Sequence, residues 1–382
     1  MTKKRIAIFG VKYFPSKGGT SRVVEHLLRE LHEQYDFTVY CYKHPKAAAH
    51  IPGVRTVQFR EIPIKGFGVF LYYIQCCWHL MRCKEYDLVH LHKMDAAFFL
   101  PILCLKYSVI ATCHALPYLN EKWSTLARAY FRLTERMFLS SKATLTAISQ
   151  PQTAYFAERY QRAVRFIPNG IHPPKEIQKS CVDDLLAEHQ VADDYLLFAA
   201  RRVIPLKGCH TLIKALRKIN YQGTLVVAGD LEQLPSYTHQ LRQLADGLDV
   251  RFIGYVDGTD RLNALIHRSK YFVFPSELEG MSMMLLEAGS IGTPMICSDI
   301  PQNQAVLGSE EVLYFKSKNV DDLAEKLVWA FEHPREMNRL AEKTQASIRQ
   351  NYLISKVVGQ YAALYDQMRT SVPTELTKSY SK

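Results

Sequence analysis

Short apolar runs of strand length alternate with segments of helical period almost throughout the chain. That alternation predicts parallel sheet joined by crossover helices. In the first half, Arg5–Phe9, Phe37–Tyr42, Asp87–His92, Ser108–Cys113, Ala143–Ala147 and Val164–Ile167 read as strands. The pattern lapses at His172-Pro173-Pro174-Lys175-Glu176, where proline and charge replace periodicity. It restarts with Tyr195–Ala200, Thr224–Ala228, Val250–Ile253, Tyr271–Phe274, Pro294–Cys297 and Val312–Phe315. The expectation is an α/β chain of two tandem Rossmann-like, doubly wound domains, each with a crevice at the carboxyl ends of its strands. Residues 1–170 are expected to form the first domain, 171–194 a linker and 195–368 the second domain. The last helix is expected to return toward the first domain, and 369–382 reads as a flexible polar tail.

Composition narrows the class. A length of 382 residues suits two domains with cores of their own. With 48% hydrophobic and 22% charged residues, a disordered or collagen-like chain is excluded. No run of about 18 apolar residues occurs, so no spanning helix is expected. Met1–Phe9 leads straight into a strand, without the apolar region and cleavage site of a secretory signal. The nine cysteines are scattered, with no Cys-x-x-Cys. Reduced thiols in a cytoplasmic protein are expected, rather than a disulfide or zinc framework.

Charge changes the picture more. The chain carries a formal +11, and residues 1–180 hold 26 Lys and Arg against 12 Asp and Glu. The remainder is slightly acidic, so the whole positive excess lies in the first half. Such a field attracts anions: nucleic acid, an acidic membrane face or a phosphorylated substrate.

Candidate chemistry sits at strand–helix turns. Pro15-Ser16-Lys17-Gly18-Gly19-Thr20-Ser21 lies between the first strand and a helix-like run, Arg22–Leu31. Glycines there let backbone N–H groups approach an anion at the helix N-terminus. The loop is neither Gly-x-Gly-x-x-Gly nor a Walker loop, which lowers the odds of a nicotinamide enzyme or a P-loop ATPase. The second domain opens in the same way with charge added: Arg201-Arg202-Val203-Ile204-Pro205-Leu206-Lys207-Gly208 follows its first strand. Two arginines and a lysine suit a diphosphate leaving group, gripped by a guanidinium fork and an ammonium point charge. The most specific motif is Phe274-Pro275-Ser276-Glu277-Leu278-Glu279-Gly280-Met281-Ser282-Met283-Met284-Leu285-Leu286-Glu287-Ala288. Gly280, Met281 and Ser282 open a helix whose first N–H groups point at the site. Glu279 and Glu287, eight positions apart, can accept hydrogen bonds from hydroxyls of one ligand. Carboxylates for sugar hydroxyls beside cations for phosphates describe a nucleotide-sugar pocket.

On these residues the chain resembles the retaining glycosyltransferases of family four, which have the GT-B fold. The resemblance rests on Glu-x7-Glu preceded by Pro275-Ser276 and the Arg/Lys pair. It extends to Gly18-Gly19, Asp87-Leu88-Val89-His90-Leu91-His92, Thr112-Cys113-His114, Ile167-Pro168-Asn169-Gly170-Ile171 and Val227-Ala228-Gly229-Asp230. It implies two domains facing each other across a cleft, with the chain crossing at Pro168-Asn169-Gly170. Glu287 would bind the ribose, Glu279 a donor-sugar hydroxyl, and Arg202 with Lys207 the diphosphate. Gly19 would approach the phosphates and His114 would face the sugar, where a role as base is one reading. Met281-Ser282 stands in place of the family's Phe-Gly, so the donor sugar is not inherited. His114-Ala115-Leu116-Pro117 followed by Glu121-Lys122-Trp123 is similar to members that build bacterial surface polysaccharide: capsule, O-antigen or exopolysaccharide.

The expected reaction is therefore retaining transfer from a nucleoside-diphosphate sugar to a glycan or a polyprenyl-diphosphate-linked acceptor. No metal and no cofactor are expected. No Asp-x-Asp occurs, and cationic side chains can do a metal's electrostatic work. Phe67–Met81 is apolar and aromatic on most sides, a core helix or one that dips into the headgroup boundary. Trp123–Leu139 sets Arg128, Arg132 and Arg136 on one helical face, with Leu126, Tyr130, Leu133 and Met137 on others. Peripheral contact with the anionic cytoplasmic face of the inner membrane is the corresponding expectation. The alternatives are a sugar-nucleotide 2-epimerase of the same architecture and a non-catalytic nucleic-acid binder. The second lacks any recognition motif.

Overall fold

The computed structural model describes residues 3–14, 18–43, 51–64, 67–83, 85–116, 118, 124–174 and 176–368. Pro15-Ser16-Lys17 of the glycine loop, Pro117, Glu121-Lys122-Trp123, Lys175 and the tail 369–382 lie outside the described residues.

The chain divides into two units, Met1–Pro168 with Val357–Lys382, and Asn169–Lys356. The first holds β1 (Lys4–Phe9), β2 (Tyr35–Tyr42), β3 (Val54–Phe59), β4 (Leu88–His92), β5 (Ser108–Cys113), β6 (Thr144–Ala147) and β7 (Arg165–Phe166). They form one sheet in the order β3-β2-β1-β4-β5-β6-β7, and every pairing is parallel. Helices α1 (Gly19–Leu31), α2 (Gly68–Arg82), α3 (Leu100–Leu103), α4 (Thr125–Ser140) and α5 (Gln150–Tyr160) supply the crossovers. The order reverses between β1 and β4, so the crevice of this unit opens where those two strands end.

The second unit repeats the plan. After α6 (Asp183–Glu188) come β8 (Leu196–Arg202), α7 (Cys209–Lys218), β9 (Leu225–Asp230), α8 (Pro235–Leu244), β10 (Val250–Gly254), α9 (Thr259–Arg268) and β11 (Tyr271–Phe274). Then follow α10 (Met283–Ile291), β12 (Met295–Ser298), α11 (Pro301–Gln304), β13 (Leu313–Phe315), α12 (Val320–Glu332) and α13 (Pro334–Asn351), while the last helix, α14 (Ile354–Gln367), belongs to the first unit from Val357 onward. The sheet order is β10-β9-β8-β11-β12-β13, all parallel. Its reversal lies between β8 and β11.

These elements form for local reasons. Helix α1 buries Val23, Val24, Leu27, Leu28 and Leu31, an apolar stripe recurring every three to four residues. Each such side chain contributes about 1.5–3 kcal/mol when removed from water. Central strands such as β2 and β4 are buried almost throughout, which is why they read as near-continuous apolar runs. Strand β3 is absent from the sequence reading. It lies at the sheet edge with Arg55, Thr56 and Gln58 in its short span, so its pattern is that of a polar turn.

The stretch 171–194, read as a linker, packs onto the second unit. A short 3-10 turn, Lys179–Val182, and α6 lie there, with the turn against α9. Charge holds them: Arg268 pairs with Asp183 and, at 2.7 Å, with Asp193; Arg261 pairs with Asp184 at 2.9 Å and Lys270 with Asp194 at 3.0 Å.

Helix α2 buries Tyr72, Tyr73, Cys76, Cys77 and Leu80 in the first core, while Ile74 and Trp78 remain exposed. Helix α4 packs by a face that its period alone does not single out. Phe131, Thr134, Glu135, Phe138 and Leu139 face the core, and Leu126 and Leu133 are exposed alongside Arg132 and Arg136. Arg128, in contrast, is half-buried. Among the described residues no helix is long and apolar enough to cross a membrane.

Candidate active site

In the second unit, the loops after β8 and β11 flank the reversal of strand order, and both carry the predicted groups. Strand β8 ends in Arg201 and Arg202, both exposed, and Arg202 is in register with Asp230 at the end of β9. Arg202 pairs with no acidic side chain among the described residues. The chain then turns through Pro205–Lys207 into Gly208. Gly208 has φ +70°, and a Cβ there would lie 2.0 Å from the Pro275 carbonyl oxygen. Only glycine meets both conditions. The close approach lets the two loops touch, and the Glu277 amide donates to the Leu206 carbonyl at 2.9 Å.

The side chains meet as well. Lys207 Nζ donates to Glu279 Oε1 at 2.5 Å, and both groups are half-buried. One loop thus supplies a cation and the other an anion at a single point. The Glu279 loop is pinned from behind: Ser298 Oγ donates to the Ser276 carbonyl, and Asn303 Nδ2 donates to the Ser298 carbonyl at 3.0 Å. Half-buried Gly280 leads to Met281 and Ser282, both buried, and Ser282 caps α10 without a side-chain hydrogen bond. Glu287 is the single charged residue of α10, an otherwise apolar helix, and is 7% exposed. A carboxylate so deeply placed costs free energy unless a ligand or a polar group meets it.

Sequence reasoning missed four participants. Asn169, 3% exposed, donates from Nδ2 to the Met281 carbonyl at 3.0 Å, and its amide meets Met281 Sδ at 3.1 Å. The Pro168-Asn169-Gly170 turn, read only as a crossing point, therefore also fixes Met281. Glu277 meets His210 Nε2 at 3.6 Å and Lys318 Nζ at 3.3 Å. Burial lowers the pKa of His210, and Glu277 opposes that shift. Glu277 and Asn169 stood inside quoted motifs and His210 follows Gly208 by two positions, so each had a local signal. Lys318 had none, because only the fold brings it near.

The first unit places Gly18, Gly19 and His114. Gly18 caps α1, which opens without an acidic residue in its first turn. Among the described residues, a Cβ added at Gly19 would meet nothing within 4 Å, so their packing does not require this glycine. His114, 9% exposed, follows β5 and joins a buried line of histidines. His92 Nδ1 lies 2.9 Å from His114 Nε2, and the His90 and His92 ring centroids are 4.0 Å apart. His90 is held at both nitrogens, by Tyr365 OH and Thr112 Oγ1, each at 2.8 Å. Burial holds these imidazoles neutral: His90 is pushed down to about 3, and His114 to about 3 with the Lys93 charge adding to burial.

Comparison with known proteins settles the class. The model of the family described as Glycosyl transferases group 1 matches residues 184–347, and that of Glycosyltransferase Family 4 matches 17–174. The chain belongs to the family-four-like glycosyltransferases. The D-rhamnosyltransferase WbpZ of Pseudomonas aeruginosa is 33% identical over 149 residues, which span 38% of this chain and 38% of WbpZ. The phosphatidyl-myo-inositol mannosyltransferase of Mycobacterium leprae is 26% identical over 303 residues, 75% of each chain. The crystal structure of HepE from Anabaena in complex with UDP-glucose shares the fold, with a TM-score of 0.79 and 18% identity, over 95% of this chain and 99% of that one. The fold of this glycosyltransferase is accordingly GT-B, as the resemblance implied.

Proposed function

We propose that the protein is a retaining glycosyltransferase. It moves a sugar from a nucleoside-diphosphate donor to a glycan or polyprenyl-diphosphate-linked acceptor in the assembly of bacterial surface polysaccharide. The observation that carries this reading is the Lys207–Glu279 contact at the switch point of the second unit, beside an exposed Arg202. The opposite charges satisfy each other. A nucleotide sugar offers each a better partner, its diphosphate for Lys207 and a hydroxyl for Glu279. Arg201 and Arg202 add positive charge where the leaving group develops negative charge. Glu287 takes the ribose hydroxyls, and the amides of Gly280, Met281 and Ser282 line the opening of α10. From the first unit, Gly18, Gly19 and His114 belong to the same proposal.

In the proposed step, the bond between the anomeric carbon and the diphosphate oxygen breaks. The acceptor oxygen bonds to the same face of that carbon, and its proton passes to the departing diphosphate. Fixed cations stabilise that departure without a metal or cofactor, and each is expected to be worth on the order of 10²–10³ in rate. UDP-glucose in HepE supports a nucleotide-sugar donor, and the rhamnosyl activity named for WbpZ supports transfer of a sugar.

The lipid named for the mycobacterial relative supports an acceptor at a membrane. So does the first unit's surface, where exposed Leu126 and Leu133 lie among Arg132 and Arg136. On α2 the Arg82 guanidinium covers exposed Trp78 at 3.4 Å. We accordingly place the protein peripherally on the anionic cytoplasmic face of the inner membrane.

Thermal-shift screening against uridine, guanosine, adenosine and thymidine diphosphates tests the donor half. A cognate leaving group raises Tm by mass action, and no shift with any of them counts against the pocket. Co-sedimentation with neutral and anionic vesicles tests the membrane half. Preference for anionic vesicles supports it, and equal or absent binding removes it. Conversion of a labelled nucleotide sugar to its epimer without acceptor would point instead to an isomerase.

A further inference from the structure

Two nitrogens distinguish the middle member of the histidine line. His92 Nδ1 faces His114 Nε2 at 2.9 Å. His92 Nε2 is buried and has no hydrogen-bond partner among the described residues. His90, one step back on the same face of β4, has both nitrogens satisfied. A leucine or phenylalanine would fill the position of His92 without leaving a buried polar atom unpaired. Such an atom is costly, and its presence calls for an explanation.

The backbone around His92 is also over-determined. Lys93, the next residue, sits at φ +87° and ψ +136°, a region that only glycine enters without strain. On the other side Gly10, at φ +97°, approaches so closely that a Cβ would lie 1.7 Å from the His92 carbonyl oxygen. The end of β4 is thus clamped between the end of β1 and a strained turn, and the His92 ring is held in one place.

Both rings are neutral, so one proton lies between His92 and His114. If it belongs to His114 Nε2, then His92 must carry its own proton on the orphaned Nε2, leaving a buried N–H with no acceptor. If it belongs to His92 Nδ1, the orphan is a bare lone pair, and His114 carries its proton on Nδ1. Orphaned buried N–H groups are rarer than under-satisfied acceptors. The second arrangement is the one this packing selects.

We propose that His92 is a positioning residue that donates from Nδ1 to His114 Nε2, so that His114 presents Nδ1–H to a ligand as a hydrogen-bond donor and not as a base. The assignment rests on the proposed reading of His114 as a ligand-facing group, and it turns a generic histidine into one of defined polarity. A donor suits a sugar hydroxyl or carboxylate oxygen with its lone pairs toward the ring. It also leaves the acceptor's proton to the departing diphosphate.

The test uses the full chain labelled with 15N-histidine. Long-range proton–nitrogen correlation separates bare ring nitrogens from N–H, and His92→Asn and His114→Ala identify the two signals by their loss. The expected result is a bare Nε2 and protonated Nδ1 on His114, with a bare Nε2 on His92, unchanged between pH 6 and 8. The reverse tautomer on His114 overturns the proposal.

Kinetics supply a second reading. In His92→Asn the amide group falls near the position of Nδ1 and can still donate, so most of kcat is retained. His92→Leu removes the donor, and kcat falls on the order of 10²-fold while nucleoside-diphosphate affinity is unchanged. Equal loss in both variants, or none in His92→Leu, overturns the positioning role. Wild-type transfer by His114→Ala, with the tautomer as assigned, overturns the site reading beneath it and not the tautomer.

Discussion

The two units solve one topological problem with opposite chemistry. Each reverses strand order beside its first strand, and each uses a glycine at positive φ to bring the neighbouring strand's loop into contact, Gly10 against His92 and Gly208 against Pro275. In the second unit the groups delivered there are charged, Lys207 on Glu279. In the first they are neutral, buried imidazoles in line. On the proposed reading, the difference separates binding from orientation. Partly open charges can exchange one another for a ligand's charges, whereas neutral rings locked in a core can offer only direction.

The comparison breaks most readily at the charged end. Lys207→Ala is expected to lower kcat/KM on the order of 10²–10³-fold, measured by nucleoside-diphosphate release. Tm should change little, since a partly exposed pair adds at most about 1 kcal/mol to folding. Near-wild-type turnover would detach the pair from the chemistry. Glu287→Ala is expected next, with nucleotide affinity by calorimetry falling on the order of 10–100-fold, the loss of one or two charge-assisted hydrogen bonds.

Glycines sharpen the contrast. Gly208→Ala meets Pro275 at φ +70° and should destabilise the second unit by about 1–3 kcal/mol in denaturant unfolding. Gly19→Ala meets none of the described residues within 4 Å, so it should unfold like wild type yet use the donor less well, as the proposed approach of a phosphate requires. A stability loss at Gly19, or none at Gly208, would reverse their assigned roles.

The smallest effect belongs to pH and to the neutral end. His90 and His114 titrate near 3 when folded and near 6.5 when unfolded. The unfolded chain then binds more protons below pH 6.5, so stability is full above that value. It falls as pH drops toward 3, by at most about 1.4 kcal/mol per pH unit for each ring. Urea unfolding at pH 7.5 and 5.5 measures it, and His90→Phe should flatten the slope. An unchanged slope would mean that the line is hydrated and not buried.

Much of this was legible beforehand, and the exceptions share a cause. Buried parallel strands such as Tyr271–Phe274 announce themselves because both faces are covered and every position is apolar. Strand β3 was not legible, since an edge strand needs few apolar residues and draws its order from β2. In α4 helical period tells which residues align but not which face the core takes, so the exposure of Leu126 and Leu133 was not legible. Lys207 and Glu279 were each legible as types at strand ends; that they touch was not.

What the sequence determined alone were the local matters: where strands and helices run, where glycine must turn the chain, and which loops carry cations or carboxylates. These depend on neighbours a few positions apart, so their pattern survives in one dimension. The tertiary structure decided the pairings of residues far apart in sequence: Asn169 on Met281, Lys318 on Glu277, Tyr365 on His90 and His92 on His114. Hydrogen bonds and burial depend on which groups the fold brings within about 3 Å, and no local pattern encodes that distance.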